Sequence, residues 1–181
     1  MSLRPLLLCL FLPASLQAAS WQSVEPSTLR FEGAAQGESF EGGFGQFEAQ
    51  VDFDPENLAA TRFEVSIDLG SADSRNSERD ELLQSAEFFD VGNQQRARFE
   101  ALGAQAEDGG YVSRGTLTLK GQQRAVNLRF RFTPTAEGAR LEGEALLDRT
   151  DFGIGSGDWE DAEMIDHQVR VRTELTLRPA G

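Results

Sequence analysis

The stretch RFEVSIDL, residues 62–69, alternates charged or hydroxyl side chains with large apolar ones. Successive residues of a β-strand point to opposite faces of the sheet, so the apolar residues of this stretch would share one buried face. Those residues are Phe63, Val65, Ile67 and Leu69. The stretch therefore predicts an amphipathic strand in an antiparallel sheet, with one face buried and the other in water.

The same two-residue period recurs along the chain. It is strong at 126–132 and 169–177, and weaker at 29–31, 47–53, 97–101, 111–119 and 141–147. Turn-forming residues separate these segments, at 54–55, 108–110, 120–121 and 137–138. About eight antiparallel strands with short connections predict an all-β domain, either a closed barrel or a sandwich.

Small residues at inward positions favour the barrel. They are Ala49, Ala97, Ala101, Ser113, Gly115, Gly143, Ala145 and Thr173. A sandwich core would usually be filled by larger side chains, whereas an eight-stranded barrel is wide enough to hold one small ligand. The pattern favours a hollow apolar interior. The alternative, in which small residues only make room for large neighbours, stays open.

One segment interrupts the strands. SERDELLQS, Ser77 to Ser85, predicts a short helix with Ser77 as its N-cap. Phe88 and Phe89 follow directly, side by side. Adjacent residues of a regular element point in different directions, so one flat core cannot easily bury both rings. The pair is expected to close part of the barrel or to face an apolar ligand.

The first 19 residues read as a secretory signal peptide that is cleaved after Ala18 or Ala19. Arg4 is followed by an apolar run, residues 6–12, and by small residues at 18–19. Cys9, the only cysteine, lies inside this segment. We therefore expect an exported, periplasmic protein whose single domain, residues 20–181, contains no disulfide.

The net charge of −13 indicates which partners are disfavoured. Such an acidic surface repels nucleic acid, so no nucleic-acid partner is expected. Beyond the leader the chain has no second long apolar segment, so no integral membrane span is expected either. The sequence leaves open whether the protein is a monomer or a homodimer.

Catalytic signals are weak. His167 is the single histidine, and no G-x-S-x-G motif marks a nucleophile for it. The acidic segment 158–167 has neither the spacing of an EF-hand nor an H-E-x-x-H motif. We predict no catalytic residue, no metal site and no cofactor. A secreted hydrolase that uses His167 remains the alternative from a different functional class.

Several short motifs occur in an order that resembles the YceI-like family of periplasmic polyisoprenoid-binding proteins. They lie at residues 42–47, 51–58, 67–68, 79–90, 98–99, 115–121 and 149–155, and so span nearly the whole domain. One motif alone would be weak evidence, but the helix before the double phenylalanine and the sequence LTLKG before a strand make the order specific.

The resemblance implies an extended, lipocalin-like barrel of eight antiparallel strands with a short helix between strands. It implies a non-enzymatic protein that holds a polyprenyl lipid or isoprenoid quinone in an apolar channel, for transport, storage or stress protection. A solid-core structural barrel without bound lipid is the other alternative. The candidate channel residues are Phe44, Phe63, Val65, Ile67, Phe88, Phe89, Phe99, Leu117, Val126, Leu128, Phe130, Phe152, Ile154 and Val171.

Overall fold

The computed structural model describes residues 19–180. Strands dominate it: β1 Ala19–Ala35, β2 Glu38–Phe44, β3 Phe47–Phe53, β4 Arg62–Asp68, β5 Ala72–Asp73, β6 Arg96–Leu102, β7 Gln105–Glu107, β8 Gly110–Leu119, β9 Gln122–Thr135, β10 Gly138–Asp148 and β11 Gln168–Pro179. The described part of the chain has one α-helix, α1 Ser77–Gln84, and short 3₁₀ turns at Leu58–Ala60, Leu69–Ser71, Arg149–Phe152 and Gly157–Trp159. The predicted signal peptide, apart from Ala19, lies outside the described residues.

The sheet closes on itself. Antiparallel pairing runs in the order β11, β10, β9, β8, β6, β4, β3, β1, and β11 then pairs with β1. Strand β2 continues the position of β3, because β3 pairs with residues 19–22 of β1 and β2 pairs with residues 30–35. The predicted eight-stranded antiparallel barrel is therefore confirmed, with β5 and β7 as short additions to β2 and β8.

The first end of the barrel is filled by an aromatic cluster, which consists of Trp21, Phe53, Phe63, Tyr111, Phe130 and Phe132. The ring centroids of Phe53 lie 4.7 Å from Phe132 and 4.9 Å from Tyr111. Edge-to-face and tilted pairs of this kind each contribute roughly 0.5–1.5 kcal/mol beyond their burial. These packed rings occupy this end of the barrel.

The opposite end is covered by two long connections, which we call the barrel cap. Residues 69–95 connect β4 to β6 and include α1, and residues 149–167 connect β10 to β11. The predicted helix is present, but its N-cap is Asn76 and not Ser77. The Asn76 side chain accepts a hydrogen bond of 3.0 Å from the backbone N–H of Arg79. Asparagine is as favourable an N-cap as serine, and the sequence alone did not separate the two neighbours.

The sequence left two interpretations of the small inward residues, a hollow interior or room for large neighbours, and each holds for part of the barrel. Around Gly115 the space is already used, because a Cβ there would lie 2.5 Å from the ring of Phe99. The space at Gly143 is also used, because a Cβ there would lie 2.9 Å from Thr173 Cγ2, but four other small residues border open space: Ala49, Ala97, Ala145 and Thr173. The barrel is therefore filled at one end and hollow towards the other.

Candidate functional site: an apolar cavity

A cavity of about 200 Å³ lies between the aromatic cluster and the barrel cap. Inward side chains from the strands form its wall, and Leu83, Phe88, Phe89, Phe152 and Ile154 of the barrel cap also border it. Nearly all of the lining residues are aliphatic or aromatic. Burial of such a surface by a hydrocarbon is favourable, whereas water inside would find few hydrogen-bond partners.

Thirteen of the fourteen predicted channel residues border this cavity. They are Phe44, Phe63, Val65, Ile67, Phe88, Phe89, Phe99, Leu117, Val126, Leu128, Phe152, Ile154 and Val171. The fourteenth, Phe130, lies in the aromatic cluster, with its ring centroid 5.1 Å from that of Phe63. A two-residue period gives the face of a strand but not the height of a residue along the barrel. Ligand contact by any of these residues stays a prediction.

Sequence reasoning missed other lining residues, among them Leu29, Phe31, Phe40, Phe47, Leu69, Leu83, Leu119, Leu141, Leu147, Ile165, Val169 and Leu175. Some carried a usable signal, since 29–31 and 141–147 alternate in the sequence. Leu83 and Ile165 belong to the barrel cap, where no periodic pattern marks the inward side.

The adjacent rings of Phe88 and Phe89 are both buried because the backbone turns sharply here. The Phe88 N–H donates to the Ser85 carbonyl at 3.1 Å, and the Phe89 N–H donates to the Leu83 carbonyl at 2.9 Å. The rings consequently reach different neighbours. The ring centroid of Phe88 lies 6.0 Å from that of Trp159, and the ring centroid of Phe89 lies 6.0 Å from that of Phe44. Both rings border the cavity, so this pair closes the barrel end above it.

Lys120 joins the two connections of the barrel cap. Its Nζ donates to the carbonyl of Gly153 at 2.8 Å and to the carbonyl of Glu87 at 3.1 Å. The Glu87 carbonyl also accepts from the N–H of Gly155 at 2.8 Å. Burial lowers the pKa of Lys120, and the nearby charges of Asp90 and Glu87 oppose that shift. The phenylalanine pair is thereby held to the 149–167 connection.

Arg149 organises the second connection from inside. Its side chain is buried, and its guanidinium donates only to backbone carbonyls. Nε donates to Asp166, Nη1 to Ile154 and Gly155, and Nη2 to Trp159, Glu160 and Ile165, at 2.7–3.3 Å. An arginine has five N–H donors, so all of them are used. Burial lowers the pKa of Arg149, and the charges of Asp148, Asp166 and Glu160 oppose this.

The acidic segment 158–167 wraps around that guanidinium and is tied to the β1–β2 turn. The Gln36 N–H donates to the Met164 carbonyl at 3.0 Å, and the Asp166 N–H donates to the Ala34 carbonyl at 2.9 Å. His167 places Nε2 2.9 Å from the carbonyl oxygen of Glu160. Within residues 19–180 no group of histidine, cysteine and acidic side chains has metal-binding geometry. In the structure, this segment covers the end of the barrel.

An eight-stranded antiparallel barrel closed around an apolar cavity places this protein in the lipocalin-like class of barrels. A sequence model of the YceI-like domain matches residues 22–177, so the chain belongs to the YceI-like family. The family resemblance seen in the sequence motifs is thus confirmed.

Proteins of similar sequence agree with this family assignment. A UPF0312 protein of Vibrio cholerae is 30% identical over 133 residues, which cover 68% of this chain and 70% of that protein. A UPF0312 protein of Vibrio parahaemolyticus is 28% identical over 173 residues, which cover 88% of this chain and 92% of that protein.

Solved structures share the fold. BcnA of Burkholderia cenocepacia superposes with a TM-score of 0.79 at 25% identity, over 82% of this chain and 94% of BcnA. A polyisoprenoid binding domain from Saccharophagus degradans gives a TM-score of 0.65 at 14% identity, over 91% of this chain and 100% of that domain. Among residues 19–180, no helix has the length and apolar character needed to cross a membrane.

Proposed function

We propose that this protein binds the hydrocarbon chain of a polyprenyl lipid or isoprenoid quinone in the cavity of its barrel. The observation that carries the proposal is the chemistry of the cavity wall. Its few polar side chains are engaged with the protein: Thr173 donates to the Thr28 carbonyl at 2.9 Å, Asp166 Oδ1 accepts from the Gln168 N–H at 3.1 Å, and every N–H of the Arg149 side chain is bonded. The wall therefore suits hydrocarbon, and a polar head group would find few partners inside.

Family membership supports the same proposal. The Saccharophagus degradans domain, which shares the fold, is a polyisoprenoid binding domain. The signal-like residues 1–19 support export, so we place the protein in the periplasm with residues 20–181 as the lipid-binding domain. Its role is then to transport, store or shield the lipid, by binding and not by catalysis.

The cavity size bounds how much of the chain is held. An apolar cavity of about 150 Å³ accepts a benzene molecule, so 200 Å³ holds roughly eight carbons, slightly less than two isoprene units. At about 0.8 kcal/mol per buried CH₂, this segment supplies on the order of 6 kcal/mol before ordering costs. A longer chain must extend out of the cavity or enlarge it.

The proposal is tested by mass spectrometry on an organic extract of the protein, purified from the periplasm without detergent. We expect a polyprenyl or quinone species in stoichiometric amount. A folded protein that carries no lipid and also takes up no added isoprenoid would contradict the proposal. It would leave the solid-core barrel or the His167 hydrolase as the remaining interpretation.

The phenylalanine pair gives a second test. Phe88→Ala and Phe89→Ala each remove a ring from the cavity wall, and each is expected to weaken isoprenoid binding about tenfold through lost contact area. Each change also creates a cavity and should lower the free energy of unfolding by about 3–5 kcal/mol. Binding is measured by fluorescence titration and stability by urea unfolding.

Phe132→Ala is the matched control for this pair. Its ring lies in the aromatic cluster and does not border the cavity, so it should lower stability while the fraction that remains folded binds normally. If Phe88→Ala and Phe89→Ala behave like Phe132→Ala, the pair acts only in folding.

A further inference from the structure

The hydrogen-bond ladder between β9 and β10 stops before the strands end. Pairing runs from Gly138 opposite Thr135 to Glu144 opposite Arg129. Beyond that point, residues 145–148 of β10 remain paired with β11, and residues 122–128 of β9 remain paired with β8. The two strands therefore separate towards the barrel cap. We call the gap between residues 125–128 and residues 145–148 the side slot.

The inward side of the side slot borders the cavity. Its inward side chains are Val126 and Leu128 on β9 and Ala145 and Leu147 on β10, and all four border the cavity. The slot ends at Gly143, where a Cβ would lie 3.1 Å from Leu128 Cδ1. At its other end lies the Arg149–Phe152 turn, which packs against β9. No backbone ladder crosses the barrel wall between these limits.

The outer rim of the side slot carries an unusual residue. Leu146 is 52% exposed, and only one other large apolar side chain among the described residues is more exposed. That residue is Leu102, which is 77% exposed and lies at the filled end of the barrel. An exposed leucine beside a stretch of wall that lacks backbone pairing and whose inward side chains border the cavity places apolar surface on both sides of the wall.

A second interruption of the barrel wall, between residues 23–29 of β1 and residues 44–49, is better covered. The Ala49 N–H donates to Ser23 Oγ at 2.9 Å. The N–H groups of Gly45 and Gln46 donate to the carbonyl and hydroxyl of Ser71, both at 3.0 Å. The Ala49–Ser23 bond thus bridges that interruption, and Ser71 of the barrel cap is bonded along its edge, whereas the side slot has no bridging bond among the described hydrogen bonds.

We propose that the isoprenoid chain enters and leaves through the side slot, with its polar head group outside the barrel near Leu146. This inference rests on the proposed function. The other routes are obstructed, since the aromatic cluster fills one end and Arg149 and Lys120 hold the barrel cap over the other. A head group outside also agrees with a cavity whose polar side chains are already bonded.

The test closes the slot with a disulfide. Asn127→Cys and Leu146→Cys are introduced together, because these outward residues would be opposite each other if the β9–β10 ladder continued. Cys9 lies in the predicted leader, so the exported protein has no competing thiol. Where oxidation alone gives no cross-link, a short bismaleimide joins the two thiols. The control pair is Arg131→Cys with Glu142→Cys, which joins the same strands where they are already paired.

The readout is the rate at which ubiquinone-2 binds and dissociates. We expect the cross-link at the slot to slow both rates about tenfold or more, with reduction of the disulfide restoring them, and the control pair to have little effect. Equal rates for the two cross-linked proteins would overturn the side slot while leaving the proposed function intact. If the uncross-linked proteins bind no ubiquinone-2 or other isoprenoid, the proposed function fails as well.

The position of the head group is tested separately. A fluorophore is attached to Leu146→Cys and, as a control, to Leu102→Cys. Because a quinone ring quenches fluorescence at short range, ubiquinone-2 should quench the probe at position 146 and leave the probe at 102 nearly unchanged. Equal responses at the two positions, with binding established, would contradict a head group at the slot.

Discussion

Ala145→Trp is expected to weaken isoprenoid binding about a hundredfold while the barrel remains folded. The Ala145 side chain borders the cavity, and its neighbour across the β10–β11 ladder is Val171, which also borders it. An indole placed there would occupy much of the 200 Å³ that the ligand needs. Displacing about four methylene groups costs roughly 3 kcal/mol, which is about a hundredfold in affinity. Titration with ubiquinone-2 measures the loss.

Glu142→Trp is the matched control. It lies on the same strand, and its exposed side chain points away from the cavity. The tryptophan at 145 should also cost about 1–3 kcal/mol in stability through overpacking, so urea unfolding must show that the variant is folded at the temperature of the titration. Undiminished binding by a folded Ala145→Trp protein would exclude the cavity as the binding site.

The barrel walls were predictable because each strand carries its own evidence. In residues 62–69 the alternation alone assigns Phe63, Val65 and Ile67 to the inside, and the structure places all three at the cavity. Phe130 shows the limit of that reasoning. It has the correct face but lies in the aromatic cluster, because its height depends on the stagger between strands, which is set by pairing across the whole sheet.

The barrel cap was much less predictable. Its shape depends on carbonyl oxygens that converge on Arg149 from six residues, and every residue has such an oxygen. A sequence therefore gives no local sign of which carbonyls will meet one guanidinium. The side slot was invisible for a related reason, since residues 125–128 and 145–148 look like ordinary strand and differ only in lacking a partner across the gap.

Arg149→Met is expected to lower the free energy of unfolding by about 4 kcal/mol. The change leaves six backbone carbonyls without their donor, and each one that stays buried and that water does not reach costs roughly 1–3 kcal/mol. For a domain of this size the midpoint of thermal unfolding should fall by about 10 °C. Arg149→Lys is expected to recover part of the loss, since an ammonium group offers three donors and no planar fork. Urea and thermal unfolding measure both variants.

Arg140→Met is the control for the removal of a positive charge. Its guanidinium is exposed and donates to Glu174 at 2.7 Å, and such surface ion pairs contribute about 0–1 kcal/mol. Arg149→Met should also increase amide hydrogen exchange in residues 154–167, whereas Arg140→Met should not. Similar stabilities for the two variants would mean that water replaces the guanidinium at little cost.

The Arg149→Met substitution also distinguishes the two routes to the cavity, through the side slot and through the barrel end under the barrel cap. If Arg149 keeps the barrel cap shut, its loss opens the end of the barrel and adds a second path for the ligand. Release of ubiquinone-2 from the Arg149→Met protein should then become faster, and cross-linking positions 127 and 146 should no longer slow it. If the cross-link still controls the rate after Arg149 is removed, the barrel cap is held shut mainly by other contacts, such as the Lys120 hydrogen bonds and the packing of Phe88 against Trp159.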